Sequence, residues 1–529
     1  MIENNLSLYL RRFFSGTMLS RLSGLLRDLF MAFCFGDHPS VAAFMVAFRL
    51  SNLLRRLLGE GPFQSAFIPY FEDLRIKDPM KASLFFKQLS SFILMILLVV
   101  TSIAEITIVA ILCYCNVSSD NREVLALTAW LFPGIIFICL YGLNLSLLNC
   151  HDSFFIPSFA PAICNIVWIV AVIVIRAYHP TQAMPILAKW VVLGLFCQWL
   201  FTFFPTLKYL PLRWKEWMNW KISREIISLA KSFSMGVIGV GAMQINGFVD
   251  TLFARYADLR GPTYLWYSIR LQQLALALFG IACVSIIVPR LSRAIKMQNF
   301  VQAQEFFSFS YKRIMAIMIP ATFALIVLGI PFVDLLYGRG EFSKIAIFKT
   351  TFCLWSYSVG LVPITLVILF SSVFYAKNNF YLPTMVSVLT MLVNLFLNVL
   401  FVMGLGLGTI STALATSISA WINCLVLYRC VSKEGLNANF NFTSSLKIVS
   451  ICLIAAFCVI IVEYFSFQEI PFSNAFILPV SFLAKTVHFF LPLAIFIIAV
   501  LFSAILGKNN VLLELMQDFL PSWKKDLQR

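Results

Sequence analysis

Five arginines are set into stretches that are otherwise apolar enough to enter a membrane. SRLSGLLRD (Ser20–Asp28) carries Arg21 and Arg27, and FRLSNLLRRLLGEG (Phe48–Gly61) carries Arg49, Arg55 and Arg56. An ionised group at the bilayer centre costs roughly 2.5–3.5 kcal/mol on insertion scales, so such residues usually face a polar cavity or pair with one another. Guanidinium keeps its charge when buried, sheds water more readily than ammonium, and presents a planar fork that matches phosphate oxygens. Several such forks inside a membrane protein imply an anionic cargo, and a lipid-borne pyrophosphate is the anion that suits them best. Plainer readings of the same residues are a structural pair between Arg27 and Asp28, and snorkelling of Arg49, Arg55 and Arg56 with Glu60 as a local partner.

Glu105 and Asp250 are the other acids to consider within the spans, and Glu105, in the outer half of its span, reads as a local bonding partner. Asp250 follows Asn246 by one helical turn, a polar stripe suited to a bundle interior, and an intramembrane carboxylate of this kind is a candidate for proton or sodium coupling. The four histidines (His38, His151, His179, His488) lie far apart, and the 13 cysteines include no CxxC pair. No metal-ligand spacing, phosphate-binding glycine loop or nucleophile motif occurs, so neither a cofactor nor an enzyme is expected.

These residues must be positioned by membrane helices. Of 529 residues, 60% are hydrophobic and 12% charged, and the mean hydropathy is +0.88. A soluble domain would carry about a quarter charged residues. Repeated runs of about 20 apolar residues exclude an outer-membrane barrel and predict an all-α polytopic protein. Fourteen spans are expected, near 15–36, 42–70, 88–114, 124–149, 157–177, 186–207, 225–254, 265–289, 313–337, 346–376, 380–403, 407–428, 445–465 and 483–507. Arg21 and Arg27 interrupt the first, which is therefore not a signal peptide. With the N-terminus inside, inner segments hold 24 Lys and Arg and outer segments 9, placing both termini in the cytoplasm. The net charge of +16 is largely this bias and no sign of nucleic-acid binding.

The chain also echoes itself. DSFFIPS (Asp152–Ser158) returns as NNFYLPT (Asn378–Thr384), GLLRDLF (Gly24–Phe30) as GFVDTLF (Gly247–Phe253), and Arg49-Leu50 with Gly59 as Arg270-Leu271 with Gly280. The offset contains six spans, an even number, so the copies are parallel and cargo is expected between them. This predicts two six-helix lobes, 1–210 and 225–430, joined by an inner-face amphipathic linker at 211–224 (WKEWMNWKI). Two extra spans follow in 431–507, belonging to neither lobe, and a basic cytoplasmic tail at 508–529 reads as a surface anchor. Where the first lobe has Arg55 and Arg56, the second has Leu276 and Ala277, so the anion site should lean on lobe one with Arg270 reaching across.

SRLSGLLRD, AFMVAFRLSNLLRRLLGEGPFQSAFIP, IPSFAPAICNI and WYSIRL, in this order, resemble the MurJ (MviN) lipid II flippases of the multidrug/oligosaccharidyl-lipid/polysaccharide exporter superfamily. The similarity spans nearly the whole chain. It implies two lobes around a central cavity, a groove from the last two helices for a polyprenyl tail, and transfer of lipid II between leaflets of the bacterial inner membrane by alternating access. It further implies substrate contacts at Arg21, Arg27, Arg55, Arg270 and Asn165. Asp28 would fall on the acid beside the second cavity arginine and Glu60 on the gate glutamate, with Arg49 and Arg56 as accompanying polar residues. Implied partners are lipid II, membrane lipids and the cell-wall synthesis machinery. Three positions depart from the family: Ala42 and Ile269 replace acids, and Ile368 stands near a family lysine. Export of another polyprenyl-diphosphate glycan or a small molecule, and a non-transporting scaffold for wall synthesis, are the competing readings.

Overall fold

The computed structural model describes residues 2–58, 62–210, 226, 241, 244–436, 442–467, 481–507 and 512–513; within helices, the side chains of 2–14, 54–58, 62–63, 65–66, 282, 285–286 and 442–444 are not described. The linker at 211–224, Gly59, Glu60 and nearly all of the 508–529 tail therefore lie outside the described residues, as do the side chains of Arg55 and Arg56.

The described chain is helical almost throughout. It runs α1 (Ile2–Phe35), α2 (Pro39–Leu58), α3 (Pro62–Lys77), α4 (Pro79–Tyr114), α5 (Ser119–Leu131), α6 (Gly134–Cys150), α7 (Phe155–Ile175), α8 (Pro180–Thr206), α9 (244–257) and α10 (Gly261–Ala275). A π segment (Leu276–Ile281) leads into α11 (Ala282–Lys296), then α12 (Phe300–Val327), α13 (Gly329–Tyr337), α14 (Lys344–Ser358), α15 (Leu361–Ala376), α16 (Tyr381–Asn398) with a second π segment (Val399–Gly404), α17 (Ile410–Lys433), α18 (Phe442–Phe467) and α19 (Phe482–Leu506).

Starts are set by local chemistry. Proline opens α2, α4 and α8, where its missing N–H costs nothing. Asp78 caps α4 by accepting from the Met80 and Lys81 amides, and Asn299, Ser343 and Ser481 cap α12, α14 and α19 in the same way.

Among the described residues nine helices are long and apolar enough to cross a membrane, or ten if α5 and α6, bent by 43° at Phe132–Pro133, make one span. Neither α1 nor α2 is among them, because the arginines that suggest a cavity dilute their apolar character. Of the span expected over 42–70, α2 reaches Leu58 and α3 is described from Pro62, and residues 59–61 between them lie outside the described residues. Around Val359–Gly360 the expected tenth span is interrupted between α14 and α15, yet Lys344–Ala376 still qualifies as one crossing.

Packing divides the chain into two compact units. Unit 1 comprises Met1–Arg255 with Leu259–Thr263 and Gly340–Phe342, and unit 2 the rest. In unit 1, α7 lies between α1 and α8, while α2 packs on α5. The α4 face bearing Ile96, Val99, Ile103 and Ile106 is exposed and apolar, as a lipid-facing surface requires. In unit 2, α16 packs on α17, and the last two helices pair with each other against α12 and α13. They thus belong to unit 2 by packing, although they lie outside the sequence repeat.

Three left-handed corners share one backbone geometry, at Asp152, Gln298 and Asn378, and two of them fall in the sequence echo. Asp152 and Asn378, equivalent in the DSFFIPS and NNFYLPT echo, both adopt positive φ (56° and 57°). Around each, the next residue's amide bonds back to the fifth residue before it: Ser153 to the Leu148 carbonyl, Asn379 to the Phe374 carbonyl. Asp and Asn tolerate this left-handed corner better than most side chains.

Candidate functional site

Residues 20, 23, 24 and 27 fall on one face of α1, since i, i+3 and i+4 positions stack along a helix. That face meets α7. Arg27 donates through Nε and Nη2 to Asp28 Oδ1 (3.1 and 2.8 Å) and through Nη1 to Asn165 Oδ1 (3.1 Å). Its guanidinium carbon sits 4.6 Å from the Trp168 ring centroid, a cation–π contact that covers the flat face. Trp168 is itself wedged edge-on against Phe44 and Phe48 of α2. Asn165 completes the node by donating to Ser23 Oγ (3.0 Å) and the Ser20 carbonyl (3.3 Å). Arg27 is 8% exposed, Asp28 2% and Asn165 7%, so the charges are desolvated and matched. The structure thus brings Arg27, Asp28 and Asn165 together in unit 1, with Gly24 close against the Asn165 amide.

The other candidates are held differently. Arg21 is exposed on α1. Arg49 is half-buried on α2 with its guanidinium against Gly247 of α9. Asp250 is buried, and Asn246 donates to it over a long 3.5 Å. In unit 2, Arg270 is half-buried with its guanidinium carbon 4.5 Å from the ring of Trp266, one turn earlier on α10. Of the positions that depart from the family, Ala42 is fully buried, Ile269 half-buried and Ile368 exposed.

Sequence reasoning misses several polar contacts. Lys485 of α19, read from the sequence as an outer cation, is buried and donates to Asp334 (2.7 Å) and to the Gly338 carbonyl. Arg260 pairs with Asp37 (3.3 Å) and Lys349 with Asp258. These three cations, read from the sequence as outer, are each paired with an acid, and only pairing of residues distant in sequence could have revealed it. Asn394 and Asn398 of α16 are bonded to each other, and Asn394 reaches Thr416 and Ser419 of α17. Their i, i+4 spacing within an apolar run is a readable signal for a helix–helix seam.

Near the α1–α2 turn, His38 meets His179 edge-on at 5.2 Å. Burial, then the neighbouring His179 and Arg260, hold the His38 pKa below its ordinary value against the opposing pull of Glu123 and Asp37. Here too the 340–342 loop packs on α1: the Glu341 amide donates to the Phe33 carbonyl (3.0 Å), and a side chain on Gly36 or Gly340, both at positive φ, would strike the opposing backbone. Among the described residues no three His, Cys, Asp or Glu side chains are grouped so as to hold a metal ion.

Comparison with known proteins places this geometry. The family model "Lipid II flippase MurJ" matches residues 31–483. A probable lipid II flippase MurJ of Chlamydia trachomatis is 35% identical over 432 residues, covering 82% of this chain and 80% of that protein. The Chlamydia muridarum relative of the same description is 33% identical, covering 88% and 86%. Among solved structures, a lipid II flippase MurJ in an inward closed conformation superposes with a TM-score of 0.76 at 23% identity, covering 94% of this chain and 99% of that one. A multidrug-resistance MATE family transporter in an inward-facing conformation gives 0.65 at 16% identity, covering 80% and 97%, so the fold is that of this transporter superfamily. On the length of the family match and the identity of the chlamydial relatives, the chain belongs to the MurJ lipid II flippase family.

Proposed function

We propose that this chain is a multi-pass protein of the bacterial inner membrane that carries lipid II, the polyprenyl-pyrophosphate-linked peptidoglycan precursor, from the inner to the outer leaflet. The observation that carries this reading is the family match over residues 31–483, which includes the arginine-bearing second half of α2 and the α7 segment with Asn165. Transport proceeds by alternating access through fourteen spans with both termini cytoplasmic, and the parallel repeats supply the two lobes that rock.

Arg21, Arg27, Arg55, Arg270 and Asn165 are proposed as headgroup contacts, with Asp28, Glu60, Arg49 and Arg56 as gating or supporting polar residues and Asp250 as an ion-coupling carboxylate. The Arg27 node suggests how an occupied fork still serves. Carboxylate and phosphate oxygens match guanidinium in the same two-pronged way. Asp28 therefore holds the place that a pyrophosphate oxygen takes on binding, and exchange of one for the other keeps Arg27 neutralised throughout. Asn165 orients the fork through its bond to Nη1. The last two helices are proposed to bind the polyprenyl tail, the basic tail to anchor on the inner surface, and the cell-wall synthesis machinery to receive the product.

Complementation of a flippase-depleted strain, paired with an assay of lipid II accessibility at the outer leaflet, tests the reading. Restored growth with labelled lipid II appearing outside is expected. Growth without outward lipid II would favour a scaffold instead.

A further inference from the structure

We propose that Gly247 is a positioning residue that seats the Arg49 guanidinium on the bare backbone of α9, making Arg49 a direct contact for the pyrophosphate of the cargo. This rests on the flippase reading above and goes beyond the supporting role given there to Arg49.

A methyl group placed on Gly247 would lie 2.5 Å from Arg49 Nη2, 3.5 Å from Cζ and 3.7 Å from Nε. The guanidinium thus occupies the space where any other residue at 247 would keep its Cβ. Mid-helix carbonyls are already engaged by the helix, so this seat supplies contact without an acceptor. Among the described residues no carboxylate or carbonyl is hydrogen-bonded to Arg49, in contrast to the three bonds made by Arg27. Desolvating a fork of five donors without acceptors is unfavourable, and a phosphate oxygen pair supplies them. The site is half-exposed, which leaves an approach for that anion.

The same geometry makes the test clean. The atom that the new methyl group would meet first is the far end of a flexible side chain, so Gly247→Ala swings the guanidinium away while α9 and α2 keep their places. Binding of lipid II to the full-length protein in detergent micelles is measured for wild type, Gly247→Ala, Arg49→Gln and the double variant, with thermal unfolding of each cargo-free protein. Each single variant is expected to weaken binding about tenfold, the scale of a lost hydrogen bond to a charged group. The double variant is expected to be no worse than Arg49→Gln, and cargo-free unfolding to stay unchanged. Wild-type affinity in Arg49→Gln overturns the contact whatever becomes of the glycine variant. A Gly247→Ala loss that persists in full in the Arg49→Gln background overturns the positioning role. If wild type binds lipid II and Arg27→Ala abolishes that binding while both Gly247→Ala and Arg49→Gln retain it, only this inference falls; a wild type that binds no lipid II removes the flippase reading itself.

Discussion

Arg27 of unit 1 and Arg270 of unit 2 are both laid against a tryptophan, at 4.6 and 4.5 Å, yet they are held in different ways. Arg27 has an acid as its chain neighbour and folds back to bond it, and its tryptophan comes from another helix, α7. Arg270 is flanked by Ile269 and Leu271, with no acid as chain neighbour, and its tryptophan is one turn away on its own helix. Arg27, paired with Asp28, is deeply buried, and Arg270 is half-buried. Where the family has an acid just before this arginine, Ile269 offers no carboxylate, and the Trp266 ring covers the guanidinium of Arg270.

The largest expected effect breaks the comparison at its strongest point. Asp28→Ala leaves Arg27 buried beside Asn165 and Trp168 without its counter-ion, a change that typically costs about 3–5 kcal/mol. Abundance in the membrane and the thermal midpoint of the purified protein should both fall sharply. Removing the cation as well, in Asp28→Ala/Arg27→Leu, should recover stability but not transport. Unaltered stability of Asp28→Ala would mean that the pair is not what holds α1 in place.

Lysine substitution reads the two arginines side by side. Arg27→Lys exchanges three directed bonds for a point charge and should lose about 1.5–3 kcal/mol, whereas Arg270→Lys keeps a cation over Trp266 and should lose much less. Complementation should follow the same order. Equal losses at the two sites would erase the distinction drawn between them.

How far the sequence reveals all this depends on whether a feature is local. Arg27 beside Asp28 is readable because adjacent charges in an apolar run have few alternatives, and the helical class follows from run length alone. The corner shared by Asp152 and Asn378 is readable because a left-handed turn restricts residue type. Trp168 covering Arg27 is not: an aromatic in a span is ordinarily core, and only the crossing of α1 with α7 makes it a lid. Arg260 with Asp37, and Lys485 with Asp334, are separated by hundreds of residues or nearly so, and no periodicity links them.

Acidification probes the end of α1 without touching Arg27. With its folded pKa held below the ordinary value near 6.5, His38 favours the folded state fully above that pH. That contribution is lost as pH falls from about 6.5 through the lowered folded value, because the unfolded chain then takes up a proton that the folded one resists. The thermal midpoint should decline over this window, and His38→Gln should flatten the decline. A slope that persists in His38→Gln would assign it elsewhere, with Asp37, Glu123 and His179 the neighbours to examine next.

The smallest expected effect sharpens the comparison most, because it asks whether one neighbour makes the difference. Side chains at i and i+1 of a helix diverge, so Arg27 reaches Asp28 only by curling its long side chain back. Ile269→Asp offers Arg270 the same opportunity in a half-exposed setting, where a paired charge contributes about 1 kcal/mol or less. The variant should remain folded, with a slightly raised thermal midpoint, and bind lipid II a few-fold more weakly because the new carboxylate competes with the proposed headgroup contact of Arg270. Trp266→Leu tests the other half of the argument by removing the ring, a contact worth about 0.5–1 kcal/mol. It should weaken binding to a similar extent with the midpoint slightly lowered. In the double variant the new carboxylate should stand in for the lost ring and bring the midpoint back toward that of the unaltered protein. If Ile269→Asp moves neither midpoint nor affinity while Trp266→Leu moves both, the identity of the chain neighbour is irrelevant to how Arg270 is held and the ring matters more.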